Sequence, residues 1–175
     1  RNAGVIDAGD LFCAMQGKFD KRASRSSCRP EHREADDYLD SLVRTAADFY
    51  APFASNFVVL GKGNHETAIT KRHETCLNER LCERLSVMSG GKVLSGGYGG
   101  WVVFKMKRHR SRRCIRMKYH HGSGGGAIMS HGTLNVRRIA SYVPDCDIVL
   151  SGHTHDSWQV VNARERISHS SHEVY

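Results

Sequence analysis

Asn56-Phe57-Val58-Val59-Leu60-Gly61-Lys62-Gly63-Asn64-His65-Glu66 is the stretch on which the reading of this chain turns. Its first five residues form a short continuous apolar run, the pattern of a strand covered on both faces. Gly61 and Gly63 let the backbone turn sharply, and an amide, an imidazole and a carboxylate follow at once. The same arrangement occurs twice more. Val5-Ile6 leads into Asp7-Ala8-Gly9-Asp10, and Asp147-Ile148-Val149-Leu150 leads into Ser151-Gly152-His153-Thr154-His155. Carboxylates, amide oxygens and imidazoles are ligands for hard or borderline divalent cations. Three strand ends that carry them are hard to explain by core packing. In open α/β sheets that edge is where ligands bind, because loops from several strands converge there.

The remaining pattern is a mixture of helices and strands. Glu34 to Phe53 reads as a helix, with Tyr38, Leu39, Leu42, Val43, Ala46, Ala47 and Tyr50 on one apolar stripe and Pro52 near its end. Lys71 to Met88 reads as a second helix, with Leu77, Leu81, Leu85 and Met88 at helical spacing and Gly90-Gly91 closing it. Strands are expected at Lys92 to Leu94, Trp101 to Phe104, Cys114 to Tyr119, Trp158 to Val161 and Arg166 to Ser168, and a short helix at Asn135 to Val143. Lys18 to Arg33 is polar, basic and Ser-rich, and reads as a long loop. The expected architecture is α/β (α+β) in a single domain over residues 1–175, a length sufficient for one real core.

Composition narrows the classes. No run approaches the roughly 20 apolar residues of a membrane span, so no membrane partner is expected. The six cysteines form no CxxC pair and no tight framework, which argues against a disulfide scaffold or a zinc finger and for reduced thiols in a cytoplasmic setting. The net charge of +8 suits an anionic partner such as nucleic acid.

Each cluster taken alone has an ordinary explanation. Asp10 after a glycine bridges cations or simply closes a turn. Asn64 offers an amide oxygen to a hard cation, and His65 beside it can act as a general acid; the pair also reads as an Asn turn with an incidental histidine. His153 and His155, two apart after Gly152, can face one centre, yet chance pairs occur in a chain with eleven histidines. His120-His121 ends an alternating strand, so one of the two points into the site and the other away.

Together, Gly9-Asp10, Gly63-Asn64-His65-Glu66, His121-Gly122 and Gly152-His153-Thr154-His155 resemble the calcineurin-like metallophosphoesterase superfamily, in the family's order and across most of the chain. Longer stretches look like phage and bacterial members, distantly similar to DNA-repair exonucleases. The resemblance implies a four-layer α-β-β-α sandwich and hydrolysis of a phosphoester by a water activated between two divalent metal ions, of which manganese, iron or zinc are the expected identities. It implies that Asp10 bridges the metals, that Asn64, His121 and His153 complete one site with His120 as the alternative to His121, that His155 serves the second metal, and that His65 protonates the leaving oxygen. The implied substrate is a phosphodiester in nucleic acid or a nucleotide; a non-catalytic metal- or nucleic-acid-binding relative is the alternative.

The chain departs from the family pattern twice. Nothing before Asp10 supplies the family's Asp-x-His motif, so the sequence is expected to be a fragment that lacks the first strand and is incomplete at its termini. Cys13 stands where the family places a second aspartate that orients the general acid, and a thiol is a weak hydrogen-bond partner. Cys13-Ala14-Met15 also lacks the Asp-Arg-Gly of the protein-phosphatase branch. Lys105 to Lys118 is rich in lysine and arginine. It reads either as a solvated hairpin or as a surface that tracks phosphates; Tyr98 and Trp101 nearby could stack on bases, although Trp101 reads first as a core residue.

Overall fold

The chain forms two three-stranded sheets with helices packed beside them. The computed structural model describes residues 3–14, 26, 28–109, 111–124, 133–163, 165 and 167. The first sheet is parallel, in the order β1 (Val5–Asp7), β2 (Phe57–Leu60), β3 (Leu94–Ser95). The second pairs β4 (Gly99–Arg108) with β5 (Ser111–His120) as a long antiparallel hairpin, and β5 with β6 (Ile148–Ser151) in parallel.

Helix α1 (Pro30–Arg33) precedes α2 (Tyr38–Tyr50), and a 3-10 turn over Ala51–Asn56 leads into β2. Helices α3 (Asn64–His73) and α4 (Leu77–Ser89) follow β2, and α5 (Thr133–Tyr142) precedes β6. Helix α4 lies on β2 and β3, α2 and α3 pack beside it, and α5 lies against β6. This is the α/β sandwich expected from the sequence.

The core sits between the first sheet and its helices. Leu60, Leu77, Leu81, Leu85, Val43 and Ala47 are fully buried, and Leu39, Leu42, Ala46 and Tyr50 close over them. The predicted stripes of α2 and α4 therefore face the core, apart from Met88, which is exposed at the end of α4. The two sheets are joined through Gly96 to Tyr98. Gly96 N–H donates to Leu60 O at 2.7 Å, Lys62 N–H to Gly97 O at 3.1 Å, and His121 N–H to Tyr98 O at 2.8 Å. These bonds hold the C-terminal ends of β2 and β5 next to each other. Because β1 runs parallel to β2 and β6 parallel to β5, four strand ends open onto one region.

Several boundaries differ from expectation. The helix read as Glu34 to Phe53 starts only at Tyr38, after a turn, and ends at Tyr50, with Pro52 in the 3-10 turn that follows. The helix read from Lys71 begins earlier and is two helices: Glu74 adopts φ 53° and ends α3, which leaves Asn64, His65 and Glu66 on a helix rather than in a loop. Strand β2 is covered on both faces only at its C-terminal end, since Val58 is exposed while Val59 and Leu60 are buried. Strand β6 is an edge strand, and Ile148 and Leu150 stay exposed rather than buried. Trp158 to Val161 forms no strand, because no neighbour pairs with its backbone in either sheet. Most of the predicted loop at Lys18 to Arg33, and Arg166 and Ser168 of the last predicted strand, lie outside the described residues, although Pro30–Arg33 is helical. All six cysteines are free, and among the described residues no helix is long and apolar enough to cross a membrane.

Candidate metal centre

The β1 and β2 ends abut so closely that side chains are excluded between them. A Cβ on Gly9 would lie 2.5 Å from Gly63 N, and one on Gly63 would collide with the Asp10 carboxylate. This close approach puts Asp10 at the N-terminus of α3, where its Oδ1 accepts the His65 N–H at 3.0 Å. The first N–H groups of a helix have no partner within it, and its dipole favours an anion there. Asp10 is therefore held by α3 with its second oxygen, Oδ2, left for the site.

Glu66 fixes both segments. Its side chain is buried, and it accepts Gly63 N–H at 2.8 Å, Asp10 N–H at 3.1 Å and Phe12 N–H at 2.8 Å. The bond to Gly63, three residues earlier, is the return half of a capping box. The bonds to Asp10 and Phe12 shape the loop after β1. The sequence reading gave Glu66 no role; the available signal was its place three residues after a helix-capping glycine.

His121 comes from the residue after β5 and is 1 % exposed. Its Nδ1 lies 3.0 Å from Ala8 O, and a carbonyl can only accept, so the proton is on Nδ1. The lone pair of Nε2 then faces Asp10 Oδ2 at 3.0 Å, Asn64 Oδ1 at 3.1 Å and His153 Nδ1 at 3.3 Å. Acceptor atoms at these separations repel unless a proton or a cation lies among them. A carboxylate oxygen, an amide oxygen and two imidazole nitrogens suit a divalent ion, and separations of this size are those of neighbouring ligands around an ion held about 2.1 Å from each. The donor set fits a metal. Asp10, His121 and His153 are the one carboxylate–imidazole group among the described residues whose ligand atoms all lie within 4.8 Å of one another.

The backbone is unusual where these ligands sit. Asp10, His153 and His155 have φ of 63°, 74° and 58°, three of the five positive values among described non-glycine residues. Such conformations cost about 1–3 kcal/mol each and persist where the surroundings impose them.

The structure thus brings Asp10, Asn64, His121 and His153 together. His65 borders them, with Nε2 3.9 Å from Asp10 Oδ2, while its Nδ1 is buried without a hydrogen-bond partner. Cys13 is exposed, and His155 is exposed and outside the cluster. His120 turns the other way. Its Nδ1 accepts Gly122 N–H at 2.9 Å, and burial, with Lys118 and His121 nearby, pulls its pKa below the ordinary value. Tyr98 stands beside both histidines, its ring 5.5 Å from His120 and 5.2 Å from His121.

Two three-stranded sheets with helices, and a cluster of carboxylate and imidazole groups at their strand ends that could hold a metal ion, fit the class of metal-dependent phosphoesterases. The model of the calcineurin-like phosphoesterase family (Metallophos) matches residues 1–157, and the chain belongs to this family of dinuclear metal-dependent hydrolases of phosphoester bonds. No curated protein and no solved structure gives a significant match to it.

Two predictions follow from the geometry. Glu66→Ala would leave three N–H groups without their acceptor and should lower stability by more than about 3 kcal/mol, with weaker manganese binding. Glu66→Gln, which keeps one acceptor oxygen, should lose less in a urea titration; equal losses would contradict the role given to Glu66. The second concerns Asp7, whose pKa is raised to about 6 by burial first, then by Glu66 and Asp10, against opposing effects of the Gly9 N–H and His121. A carboxyl with a folded pKa above its unfolded value of 3.8 is bound to a proton more often when folded. Stability of the metal-free protein should therefore fall as pH rises from about 4 to about 6, by roughly 2–3 kcal/mol from this group. Asp7→Asn should flatten that slope, measured by denaturant unfolding across the range.

Proposed function

We propose that this chain is a metal-dependent phosphodiesterase acting on nucleic acid or nucleotides, with His65 as the general acid. The observation that carries the reading is the convergence of Asp10 Oδ2, Asn64 Oδ1, His121 Nε2 and His153 Nδ1. These residues would hold one divalent ion, and His155, on the same turn as His153, would serve a second together with Asp10. Manganese, iron or zinc would suit the donor set. When bound, the metal pair supplies Lewis-acid stabilisation of the phosphoryl oxygens and a water acidic enough to attack at neutral pH.

The chain's own residues supply the rest. Asp10 is fixed by the α3 N-terminus and Glu66, and His121 is fixed in one tautomer by Ala8 O. His65 sits on the first turn of α3, at the edge of the cluster. In this reading the attacking water gives up one proton to solvent and its oxygen bonds to phosphorus, the opposite P–O ester bond breaks, and a proton from His65 passes to the leaving oxygen.

Nucleic acid is favoured by the hairpin. Directly opposed residues of an antiparallel pair share a face. The pairs Trp101–Lys118, Val103–Arg116, Lys105–Cys114 and Lys107–Arg112 therefore place five cations and one aromatic ring on one side of the ribbon. Trp101 is 47 % exposed with the Lys118 ammonium 5.5 Å from its ring centre. Arg113 lies opposite Met106 on the other face, and Arg110 is outside the described residues. The unpartnered Nδ1 of His65 favours the second reading, a metal- or nucleic-acid-binding relative with little turnover, because Cys13 replaces the aspartate that would orient this ring.

Hydrolysis of an aryl phosphodiester and of single- and double-stranded DNA with added manganese separates the two. The enzyme reading expects turnover that chelator abolishes and that His65→Ala lowers about 10²–10⁴-fold. Metal binding with no turnover would favour the second reading, and no metal binding by Asp10, Asn64 or His153 would overturn both. Cys13→Asp should raise kcat roughly tenfold by restoring a partner to His65, part of what a well-placed general acid contributes. An unchanged or lower kcat would count against that explanation of Cys13.

A further inference from the structure

A cavity of about 200 Å³ opens against the two turns that carry His121 and His153. Gly122 and Gly152, each next in sequence to one of these ligands, line it, and a Cβ on Gly122 would lie 2.9 Å from Gly152 O. Its back is the paired ends of β5 and β6, where His120 stands beside Ser151. Asn135, Arg138 and Ile139, three and four apart, turn one face of α5 onto it. Asn135 Nδ2 donates to Ser123 O at 3.3 Å, which ties that helix to the turn after His121. Thr154 and Trp158 complete the wall from the segment after β6. His120 Nδ1 accepts the Gly122 N–H, so the neutral ring keeps its proton on Nε2. Arg138 brings a guanidinium, Ser151 and Thr154 bring hydroxyls, and Ile139 and Trp158 bring apolar surface. Among the described residues that line the cavity, none is acidic.

We infer that this cavity receives a nucleobase, guanine in preference to adenine, from the nucleotide whose phosphate sits at the metal centre. This rests on the phosphodiesterase reading above and adds base recognition to it. Drug-sized ligands fill sites of about 300–1,000 Å³, and a cavity below that range suits one ring system rather than a chain. An indole stacks on any base, which fixes the position without choosing the sequence. The choice falls to the donors. A guanidinium pairs with O6 and N7 of guanine, whereas adenine sets an amino group where that oxygen would be, and donor then meets donor. A phosphate alone would use Arg138 and leave the Trp158 and Ile139 surfaces against water. The floor of the cavity is the backbone next to two candidate ligands, so a base held there belongs to the nucleotide being cleaved.

The test uses dinucleoside monophosphates carrying guanines, adenines or abasic deoxyriboses, cleaved in manganese. Wild-type kcat/KM should fall roughly tenfold from the guanine to the adenine compound, and further on the abasic one. Trp158→Ala should lower kcat/KM roughly tenfold more on the guanine compound than on the abasic one, chiefly through KM, and Trp158→Phe should recover most of that loss. Arg138→Ala should remove the guanine preference. Equal losses on all three substrates, no loss on any, or a guanine preference that survives Arg138→Ala overturns the base pocket. A second measurement needs no turnover. Trp101 and Trp158 are the chain's two tryptophans, so Trp101→Phe leaves the indole of Trp158 alone to report. In chelator, guanosine 5′-monophosphate should quench its fluorescence saturably and deoxyribose 5′-phosphate should not. Arg138→Ala should weaken that Kd about fivefold or more. No quenching, equal quenching by both compounds, or an unchanged Kd overturns the pocket. Saturable quenching in a protein that cleaves none of the dinucleotides refutes the enzymatic reading and leaves the base pocket standing; cleavage that ignores the base does the reverse.

Discussion

Glu66 is bonded to Asp10 and Phe12, 56 and 54 residues before it, as well as to the Gly63 N–H at the start of its own helix. One buried carboxylate thereby joins the loop after β1 to the loop after β2. Asp10 responds by bonding the His65 N–H, so the two segments hold each other through reciprocal bonds in opposite directions. A loop this polar would ordinarily be solvated and mobile; here its N–H groups are spent on side chains inside the fold. The strained φ of Asp10 is sustained by these bonds.

The second half of the site is built on a different principle. His121 and His153 belong to the other sheet, and their position relative to Asp10 depends on how the sheets meet. That junction is made by backbone bonds through Gly96 to Tyr98, with Tyr119 buried beneath. The Ala8 carbonyl then reaches across from the first sheet to hold His121 Nδ1. The metal-competent group is in this sense an interface between two sheets, and each sheet supplies half of its ligands. It explains why a metal here would also bind the two sheets together.

Much of this was legible in the residues. The apolar run from Phe57 to Leu60, the stripes of α2 and α4 and the hairpin strands follow local periodicity, and each is present. The places where reading failed are places where distant partners intervene. Asn64, His65 and Glu66 read as a loop because two glycines precede them, yet Asp10 and Glu66 supply the caps that let a helix start there. Strand β6 reads as buried from its composition, but burial depends on what covers it, and it lies at an edge. Trp158 to Val161 has strand-like residues and no strand beside it.

The sequence by itself determined the chemistry on offer: carboxylate, amide and imidazole donors at strand ends, a cationic hairpin, and a thiol where an orienting acid would stand. It chose His121 over His120 only through a family resemblance, and it gave Glu66 no part in the site. Tertiary structure decided these. It turned His121 inward onto Ala8 O and Asp10 while His120 bonded its own turn. The physical reason is range. Ligand type and strand or helix periodicity are properties of neighbouring residues. Convergence of ligands and the tautomer of a histidine arise between residues far apart in the chain, Ala8 and His121 or Asp10 and His153, and only the folded chain brings those together.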